Sequence, residues 1–586
     1  MKYLYSIFSF LLLFTANLHS EDLDVNSLPK LLGTSNAGKE FYFTFLPAWE
    51  NPFGGYLKVY ITSYVKTSVT VEVPKKGYKK TEITEPNEIT CFTLAPAIGQ
   101  CYTKWDYELP EPEQVWFGAA VHVIADDPII CYGLTRYYNY LSESFVVLPI
   151  NILGNDYIVS SFADPTPNTT QWLPSYTGIT APNDSTTVWF TMGGNDSSKT
   201  AGGLLPGETS TWKLNKGDVL LFASLGARAD LSGSKIISSK PISVVSGNVC
   251  ADVPVNCGWC NFLEEMEIPT YSWGKTYHVT PIINRKKNSI IKIFAKEPMT
   301  NIYRDGEFLG TIQTAGGIEG VGFLHMRADE GEPRPILISG DKPISVTQYN
   351  TGKYDDNVVS DPFQMALLPV ELYRKEITFN TPGARDGHGF PLNYINLCYE
   401  SGISSDIPED IEIAFYNTKD SVFEWYKLKD TLGTYGTPFA IDNEGKQFSS
   451  TTFKLPFDGV YKLRADRKFQ AYMYGFSSMD SYGMPASVFL DSMKFEDIPT
   501  KPNKQLIEIF PNPATDNLII RTWIGYENES HILIYDLLGK ILYQEQDKLL
   551  IGVDKTIDLK SFLSGIYYIQ ISSGKEVITE KFFVVR

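Results

Sequence analysis

The residues of this chain that could do chemistry are its cysteines, histidines and paired acids. The cysteines that could pair or bind metal are Cys91, Cys101, Cys131, Cys250, Cys257, Cys260 and Cys398. The segment Cys257–Cys260 has the local spacing of a zinc ligand pair, but neither a second such pair nor two nearby histidines accompany it. A redox motif of this spacing would need a βαβ unit, which the sequence does not predict. We therefore favour disulfides or structural thiols over a metal or redox site, and we assign no metal ligand and no cofactor.

No catalytic constellation emerges from the other residues. His388, in the glycine-rich segment ARDGHGF, most resembles a site residue, yet no nucleophile motif accompanies it. The sequence contains no G-x-S-x-G, Walker, H-E-x-x-H or EF-hand motif. Neighbouring acids such as Asp126-Asp127 point to opposite faces of a strand, so they do not form an acid/base couple by themselves. We predict no catalytic residues, and a glycan or peptide hydrolase is the least favoured hypothesis.

One disulfide is suggested by spacing alone. Cys91 and Cys101 flank the segment CFTLAPAIGQC, which is short enough to be a hairpin closed by its two ends. A disulfide closing so short a loop stabilises a protein by about 2–3 kcal/mol in the chain-entropy model. We predict this pair, and leave Cys131, Cys257 and Cys398 unassigned.

The elements that must position these residues are predicted to be strands throughout. Aromatic residues make up 13% of the chain, and Gly (45) and Pro (35) are plentiful, a mixture that favours short strands and tight turns. No long segment has helical periodicity. The net charge of −17 disfavours nucleic acid and anionic membranes as partners. The predicted fold class is all-β.

A short phrase recurs along the chain and indicates repeated modules. It is found at His122–Gly133, Lys235–Gly247 and Leu337–Tyr349, with a degenerate copy at Lys462–Phe476. Each copy reads as strand, polar turn and strand, and the copies lie about 100–125 residues apart, close to the size of a β-sandwich. We predict four tandem β-sandwich-like modules within residues 36–491, at roughly 40–155, 156–262, 263–375 and 376–491. One continuous sheet system remains the alternative.

The second copy leads into the most specific string in the chain. This string contains Ser246-Gly247, Cys250, Val253-Pro254, Cys260, Leu263-Glu264-Glu265 and Trp273-Gly274. It resembles the N-terminal domain of the IgGFc-binding family, and the resemblance extends from about Phe41 to Phe476. The resemblance implies a disulfide between Cys250 and Cys260. The chain departs from the family at Asn261-Phe262, where Asp-His is common, and at the extra thiol of Cys257.

The last eighty residues form a separate small β unit. Its turns are predicted at Leu538-Gly539-Lys540 and Ser573-Gly574-Lys575. It resembles the type A C-terminal sorting domain of the Bacteroidetes type IX secretion system. The residues that carry this resemblance are Pro511, Asn512, Pro513, Tyr535, Asp536, Gly539, Gly565, Tyr567 and Lys581. We predict an Ig-like β-sandwich at 505–586, preceded by a linker at 492–504.

The amino terminus is typical of a secretory signal peptide. Lys2 precedes an apolar run from Leu4 to Phe14, which is too short to span a bilayer as a mature helix. We predict a signal peptide at residues 1–20, and no transmembrane segment. The resemblance at the other end implies passage through the periplasm to the outer-membrane surface or the extracellular space, with the type IX machinery as a partner.

Aromatic residues in predicted loops are the remaining candidates for function. Rings among small polar residues suit recognition of proteins or glycans, because a rigid ring gives a large contact area at low entropic cost. The candidates are Tyr137, Tyr138, Tyr140, Trp172 and Tyr271. The alternative is that these rings pack between modules. We predict a non-catalytic binding or adhesion protein with an extracellular protein or glycan ligand. A structural surface or matrix scaffold is the second hypothesis.

Overall fold

The computed structural model describes most of the chain. The described residues are 36–48, 54–102, 109–137, 141–166, 172–383, 389–402, 407–432, 437–441, 445–477, 480–490, 507–522, 530–536, 540–549, 554–573 and 576–586. The chain divides into two compact units, Met1–Ser492 and Met493–Arg586. The predicted signal peptide and linker lie outside the described residues, as do His388, Tyr138, Tyr140 and Gly539.

Strands dominate both units, which confirms the all-β prediction. The first unit begins with β1 (Ala37–Phe43), β2 (Gly55–Ser63), β3 (Ser68–Val73), β4 (Tyr78–Ile83), β5 (Ile89–Leu94), β6 (Gln114–Trp116), β7 (Val121–Tyr137) and β8 (Leu141–Val147). All but β6 form one sheet. Their sequences alternate as expected: in β3, Val69, Val71 and Val73 are buried while the residues between them are half-exposed.

The second sheet takes β6 from the preceding segment and adds eight strands. These are β9 (Gly154–Ile158), β10 (Ser175–Thr180), β11 (Thr186–Thr191), β12 (Lys199–Thr200), β13 (Thr209–Leu214), β14 (Val219–Leu225), β15 (Lys235–Ala251) and β16 (Asn261–Met266). β6 pairs with β14, so that Trp116 lies opposite Val219. The segment between β5 and β7, two strands of the first sheet, therefore contributes a strand to the second sheet.

The third and fourth sheets complete the first unit. The third contains β17 (Gly274–Val279), β18 (Ile290–Ala295), β19 (Thr300–Arg304), β20 (Glu307–Ile312), β21 (Phe323–Arg327), β22 (Ile336–Asn350) and β23 (Phe363–Ala366). The fourth contains β24 (Arg374–Asn380), β25 (Leu392–Glu400), β26 (Glu412–Asn417), β27 (Val422–Lys427), β28 (Thr437–Ile441), β29 (Gln447–Lys454), β30 (Val460–Phe476) and β31 (Ser481–Pro485). The helices are short: α1 (Pro96–Gly99), α2 (Lys353–Asp356), α3 (Leu428–Leu432) and 3₁₀ turns at Pro74–Lys76, Ile150–Ile152, Thr270–Ser272 and Val370–Leu372.

Each sheet is organised around one long bent strand, β7, β15, β22 or β30, which carries the recurring phrase. The first half of β7 pairs with β1 and β3, whereas its second half pairs with β2 and β8. At the bend the register jumps: Gly38 lies opposite Ile129, but Glu40 lies opposite Ile124. The interpretation of this phrase as two strands joined by a turn is therefore wrong. In β7 the proline of the phrase, Pro128, lies in the bulge at this register shift. A proline is tolerated there because the missing N–H is not needed for strand pairing.

Four strands meet at the centre of the first unit, and we call them the hub strands: β8, β16, β23 and β31. β8 packs against β16, β16 against β23, β23 against β31, and β31 against β8, which closes a ring. The first and last described segments of this unit also meet. The Asn36 side chain accepts hydrogen bonds from the Ser487 hydroxyl (3.2 Å) and from the backbone N–H of Val488 (3.4 Å). The four groups of strands thus surround a common axis.

The second unit is a small sandwich of two sheets. One contains β32 (Ile507–Phe510), β33 (Asn517–Thr522) and β36 (Lys555–Asp558); the other contains β34 (Ser530–Asp536), β35 (Ile541–Asp547), β37 (Gly565–Ser573) and β38 (Glu576–Val584). Its separate core includes Leu518, Ile534 and Phe582. Among the residues that the structure describes, no helix of either unit is long and apolar enough to cross a membrane.

Candidate functional site: the hub-loop face

Hydrogen bonds near the start of the hub strands form a closed circuit around the axis. The Ser142 hydroxyl donates to the carbonyl of Ser481 (2.7 Å), and the Ser481 hydroxyl donates to the carbonyl of Pro362 (3.0 Å). The Asn261 amide donates to the carbonyls of Pro362 (2.7 Å) and Ser142 (3.1 Å). Because all four strands begin at this circuit, the described loops before β16 and β23 lie at one end of the hub, which we call the hub-loop face.

The loop before β16 is the most constrained part of this face. A disulfide joins Cys250 to Cys260, which confirms the pairing implied by the family resemblance. Between them, Asn256 (φ 71°) and Trp259 (φ 70°) adopt left-handed backbone conformations that cost energy in a residue with a side chain. The disulfide and the strands on either side of the loop hold these conformations in place.

Cys257 lies inside this loop as a thiol. Its Sγ is half-buried, 3.8 Å from the carbonyl oxygen of Gly352. Burial is the main cause that raises the pKa of this thiol to about 11, with a further contribution from Asp252. The thiol is therefore protonated at neutral pH and is a poor nucleophile or metal ligand.

Two rings and an ammonium group form a cluster at the surface of the face. The rings of Trp259 and Tyr354 meet edge to face with their centroids 5.7 Å apart. The Lys353 ammonium lies 4.5 Å from the centroid of Trp259 and 5.6 Å from that of Tyr354. We call these three residues the aromatic–lysine cluster. Tyr354 is 54% exposed, so one ring faces solvent on a constrained support.

Ion pairs behind the surface fix α2, which carries Lys353 and Tyr354. Asp356 pairs with Arg285 at 2.9 Å, and Asp355 pairs with Arg327 at 2.8 Å. Burial alone would raise the pKa of Asp355, but the hydrogen bonds and positive charge of Arg327 outweigh it and hold that pKa below its ordinary value. Both acids of this helix are thus paired with arginines within the protein.

Two further acids lie under the face at the entrances of β23 and β31. Burial is the main cause that raises the pKa of Asp361 to about 7, and Asp480 adds to it while the Trp259 indole lowers it. Burial also raises the pKa of Asp480, against the opposing effect of Arg136, whose Nε donates to it at 2.8 Å. Arg136 also donates to the carbonyl of Gly389 (3.3 Å). Through Asp480 and Gly389, Arg136 of the first sheet is thus linked to segments of the fourth sheet.

The hub itself contains four buried glutamates: Glu143, Glu264, Glu265 and Glu267. Burial is the largest cause that raises their pKa, to about 8 for Glu264 and Glu267 and well above the ordinary value for the others. Glu143 accepts hydrogen bonds from the backbone N–H groups of Gln364 (2.8 Å) and Gly483 (2.9 Å), and so connects three hub strands. Buried and hydrogen-bonded in this way, these carboxyls help to hold the hub together.

An acidic cleft lies elsewhere, at the outer end of the fourth sheet. It has a volume of about 550 Å³ and is lined by Glu400, Asp410, Asp466, Lys446 and Arg467. Asp410 is paired with Arg467 at 2.7 Å, and Glu400 lies 3.6 Å from Lys446. The Arg467 hydrogen bonds outweigh partial burial and lower the pKa of Asp410. A glycosidase acid needs a raised pKa, so Asp410 does not fit that role.

The predicted aromatic residues that the structure describes, Tyr137, Trp172 and Tyr271, are all buried or half-buried. Tyr137 is buried because Gly55 lacks the Cβ that would otherwise meet its ring at 2.5 Å, and its hydroxyl donates to Gln100 (3.0 Å). Its assignment as a binding residue is therefore wrong. Tyr271 is half-buried and donates to the carbonyl of Ile152 (2.7 Å), so it packs between the first two modules. Trp172 is half-buried ahead of β10 and stays a prediction.

The predicted disulfide between Cys91 and Cys101 is also wrong. Cys91 lies in β5 opposite Tyr60, whereas Cys101 follows α1 and is buried beside Thr44. The segment between them does not fold back as a hairpin, because β5 continues into α1, which moves the chain onward to a bridge between Gln100 and Phe45. No disulfide joins the two cysteines.

Sequence reasoning missed the aromatic–lysine cluster. Neither Trp259, which lies inside the Cys257–Cys260 segment, nor Tyr354 was predicted to be a site residue. The signal that could have found Trp259 is its place beside Gly258 in a tight disulfide loop. Nothing in the sequence indicates that Lys353 and Tyr354, about 95 residues later, pack against it. Within the described ranges, no three His, Cys, Asp or Glu residues converge to hold a metal ion.

In the second unit the predicted sorting residues occupy linked positions. Asn512 lies between two cis prolines, Pro511 and Pro513. Its side chain accepts a hydrogen bond from the N–H of Phe583 (3.0 Å) and donates to the carbonyl of Lys581 (3.2 Å), which ties the entry of the unit to its last strand. The other predicted residues are in strands: Tyr535 and Asp536 in β34, and Gly565 and Tyr567 in β37.

Comparison with known families accounts for both units. Residues 143–475, more than half of the chain, match the sequence model of the family described as IgGFc binding protein. The chain belongs to the IgGFc-binding family. Residues 508–585 match the secretion system C-terminal sorting domain, which indicates export to the cell surface or the extracellular space. Both predicted resemblances are confirmed.

Relatives of this IgGFc-binding family member are distant. The IgGFc-binding protein of Homo sapiens is 25% identical over 234 residues, which are 40% of this chain and 4% of the human protein. Among solved structures, the FN1–FN3 domains of chicken CNTN1 are 10% identical with a TM-score of 0.12, covering 53% of this chain and 99% of that one. A biofilm-associated protein BSP domain is 7% identical with a TM-score of 0.12, covering 78% and 92%.

Proposed function

We propose that this chain is exported through the type IX secretion system and acts outside the cell as a non-catalytic binding protein, with the hub-loop face as its ligand-binding surface. The sorting domain supports the route of export. The observation that carries the binding proposal is the aromatic–lysine cluster. In this cluster the half-exposed ring of Tyr354 lies on α2, which buried ion pairs hold, and packs against Trp259 of the disulfide loop. Rigid aromatic groups of this kind favour binding, because little conformational entropy is lost on contact.

The chemistry of the described residues supports a role other than catalysis. The glutamates of the hub are buried, and two acids of the outer cleft are paired, Asp410 with Arg467 and Glu400 with Lys446. Fc is named in the description of the family and in the name of the human relative, of which the match covers 4%. We therefore include Fc as one probe and do not assign it as the ligand.

The test is binding of the mature chain to immobilised mucin and to immunoglobulin Fc, measured by biolayer interferometry. We expect saturable binding to at least one of the two, and its loss in the Trp259→Ala/Tyr354→Ala variant. The matched control is Phe308→Ala, since Phe308 is also exposed (63%) but lies on the outer strand β20. Binding that survives in the double variant would exclude the hub-loop face. An absence of binding to either probe would favour the structural scaffold.

A further inference from the structure

The hub-loop face carries positive charge in a protein that is otherwise acidic. The chain has a net charge of −17, yet Lys286, Lys287, Lys353 and Arg228 border the loop that contains Trp259. Arg228 contacts one side of this loop through the Asn256 side chain. Lys353 contacts the other side through the Trp259 ring. A local reversal of charge of this kind attracts anionic ligands and raises their local concentration.

Two of these ammonium groups are available to a ligand. In the part of the chain that the structure describes, neither Lys286 nor Lys353 pairs with a carboxylate. Two acids of this region are already paired: Asp356 with Arg285 (2.9 Å), and Asp355 with Arg327 (2.8 Å) and Lys287 (3.3 Å). Lys353 interacts electrostatically with the buried Asp361, but its ammonium is held in place by the two aromatic rings and stays available for a second anion.

The exposed ring next to Lys353 indicates which kind of anionic ligand would bind there. A sugar ring presents one face of C–H groups that packs flat against an aromatic ring, and Tyr354 offers such a surface at 54% exposure. An acidic substituent on the same sugar would reach the Lys353 ammonium, which lies 5.6 Å from the Tyr354 centroid. Lysine binds such a group as a point charge, and needs no bidentate geometry.

We propose that the hub-loop face binds a saccharide that carries a carboxylate or sulfate group, with Tyr354 stacking on the sugar ring and with Lys353 and Lys286 pairing with its charge. This inference rests on the proposed function, and names the substrate class of that same face. The patch is small, with a single well-exposed ring and two unpaired ammonium groups, so it suits one or two sugar units rather than a long polyanion.

The test uses the mature chain on a glycan array that presents sialylated and sulfated glycans beside their neutral parents. We expect binding to the acidic members, at least tenfold above the neutral parents, that weakens as salt is raised from 50 to 500 mM. Lys353→Gln and Tyr354→Ala should each reduce it at least tenfold. The matched controls are Lys342→Gln, in the middle of β22, and Tyr426→Ala, whose tyrosine is 43% exposed on the fourth sheet; both should bind as the parent chain does.

Several outcomes would overturn the inference. Equal binding to acidic glycans and their neutral parents would remove the role of the lysines. Equal competition by poly-L-glutamate would assign the face to acidic polypeptides. Mucin binding that depends on Tyr354 but persists after treatment with sialidase and sulfatase would sink this inference while leaving the proposed function intact.

Discussion

Ser142 and Ser481 are 339 positions apart in the chain, and the hydroxyl of Ser142 donates a 2.7 Å hydrogen bond to the carbonyl of Ser481. Both residues are buried. This bond joins the first hub strand to the last and closes the circuit whose other members are Asn261 and Pro362. The first unit is consequently a closed arrangement of strands, in which its first and last hub strands stabilise each other.

Asn261 makes more of these contacts than any other side chain of the circuit, so we expect Asn261→Ala to destabilise the first unit. The change removes the hydrogen bonds that the Asn261 side chain donates to the carbonyls of Ser142 and Pro362, and leaves the buried N–H of Ser142 without the side-chain oxygen that accepts from it. The expected loss is about 2–4 kcal/mol of unfolding free energy, measured by denaturant titration. Asn183→Ala, at an exposed position of the same module, is the control. Equal stability of the two variants would contradict the role of the circuit.

The buried glutamates predict that stability falls as the pH rises. The pKa of Glu264 and of Glu267 is raised by burial from 4.5 to about 8, so the folded chain binds more protons than the unfolded chain between these values. Each group then lowers the unfolding free energy by about 1.4 kcal/mol per pH unit across that window, and by no more above it. Denaturant titrations at pH 5, 6.5 and 8 measure this slope. Glu267→Gln should flatten it, whereas Glu330→Gln, at an exposed residue, should not.

A buried ion pair joins the second and third sheets and predicts a large effect of a single substitution. Lys292 donates to Asp230 at 2.5 Å and to the carbonyl of Ser161 at 2.8 Å, with no solvent exposure of its side chain. Burial opposes the ionisation of Asp230, but the positive charge of Lys292 outweighs it and lowers the pKa of Asp230. Lys292→Met leaves the acid uncompensated and should cost about 3–5 kcal/mol. Calorimetry of Asp230→Asn/Lys292→Met should recover part of this loss; a double variant no better than the single one would argue against the pair.

The disulfide predicts a link between stability and ligand binding. Cys250→Ala/Cys260→Ala removes the closure of a loop of ten residues' separation, which should cost about 2–3 kcal/mol. Thermal melts with and without reductant provide the measurement, and reductant should have no effect on the double variant. Mucin or glycan binding should weaken as well, because the backbone that supports Trp259 is no longer constrained. Unchanged affinity would show that the loop is held by its other contacts.

We expect changes in the sorting domain to reduce export of the protein. Asn512→Ala removes both side-chain bonds to the last strand, and we expect less secreted protein and more periplasmic protein on immunoblots of cell fractions. Removal of residues 504–586 should trap a folded first unit in the periplasm. Lys560→Ala, at an exposed lysine of the same unit, is the control. Normal surface display of the truncated chain would contradict the assignment of the tail.

Features that depend on local chemistry could be predicted from the sequence. Alternating Val69, Val71 and Val73 determine the face of β3 that is buried, and the pairing of Cys250 with Cys260 follows from the family string. Tyr137 shows the limit of this reasoning, because a tyrosine among polar neighbours suggests a surface loop. Its burial depends on Gly55, 82 positions earlier, which the sequence does not place beside it. The module boundaries stay a prediction, although each sheet has its own long strand.

Contacts between distant segments were the part that could not be predicted. The circuit of Ser142, Asn261, Pro362 and Ser481 requires four strands to meet on one axis, and no periodicity in the sequence encodes that meeting. The same applies to Tyr354, which becomes a candidate ligand contact only because α2 packs against the disulfide loop. Local patterns determine strands, whereas the closure of the ring depends on side chains that complement one another across hundreds of residues.

The pairing of β6 with the second sheet, although its neighbours in the chain belong to the first, limits how the two sheets could be separated by recombination or engineering. A cut between the two modules would strip the second sheet of the strand that pairs with β14, and would expose the unpaired edge of Val219–Leu221 to other chains. Neither module is then a transferable part. Natural recombination and protein engineering would therefore have to move the first two sheets together.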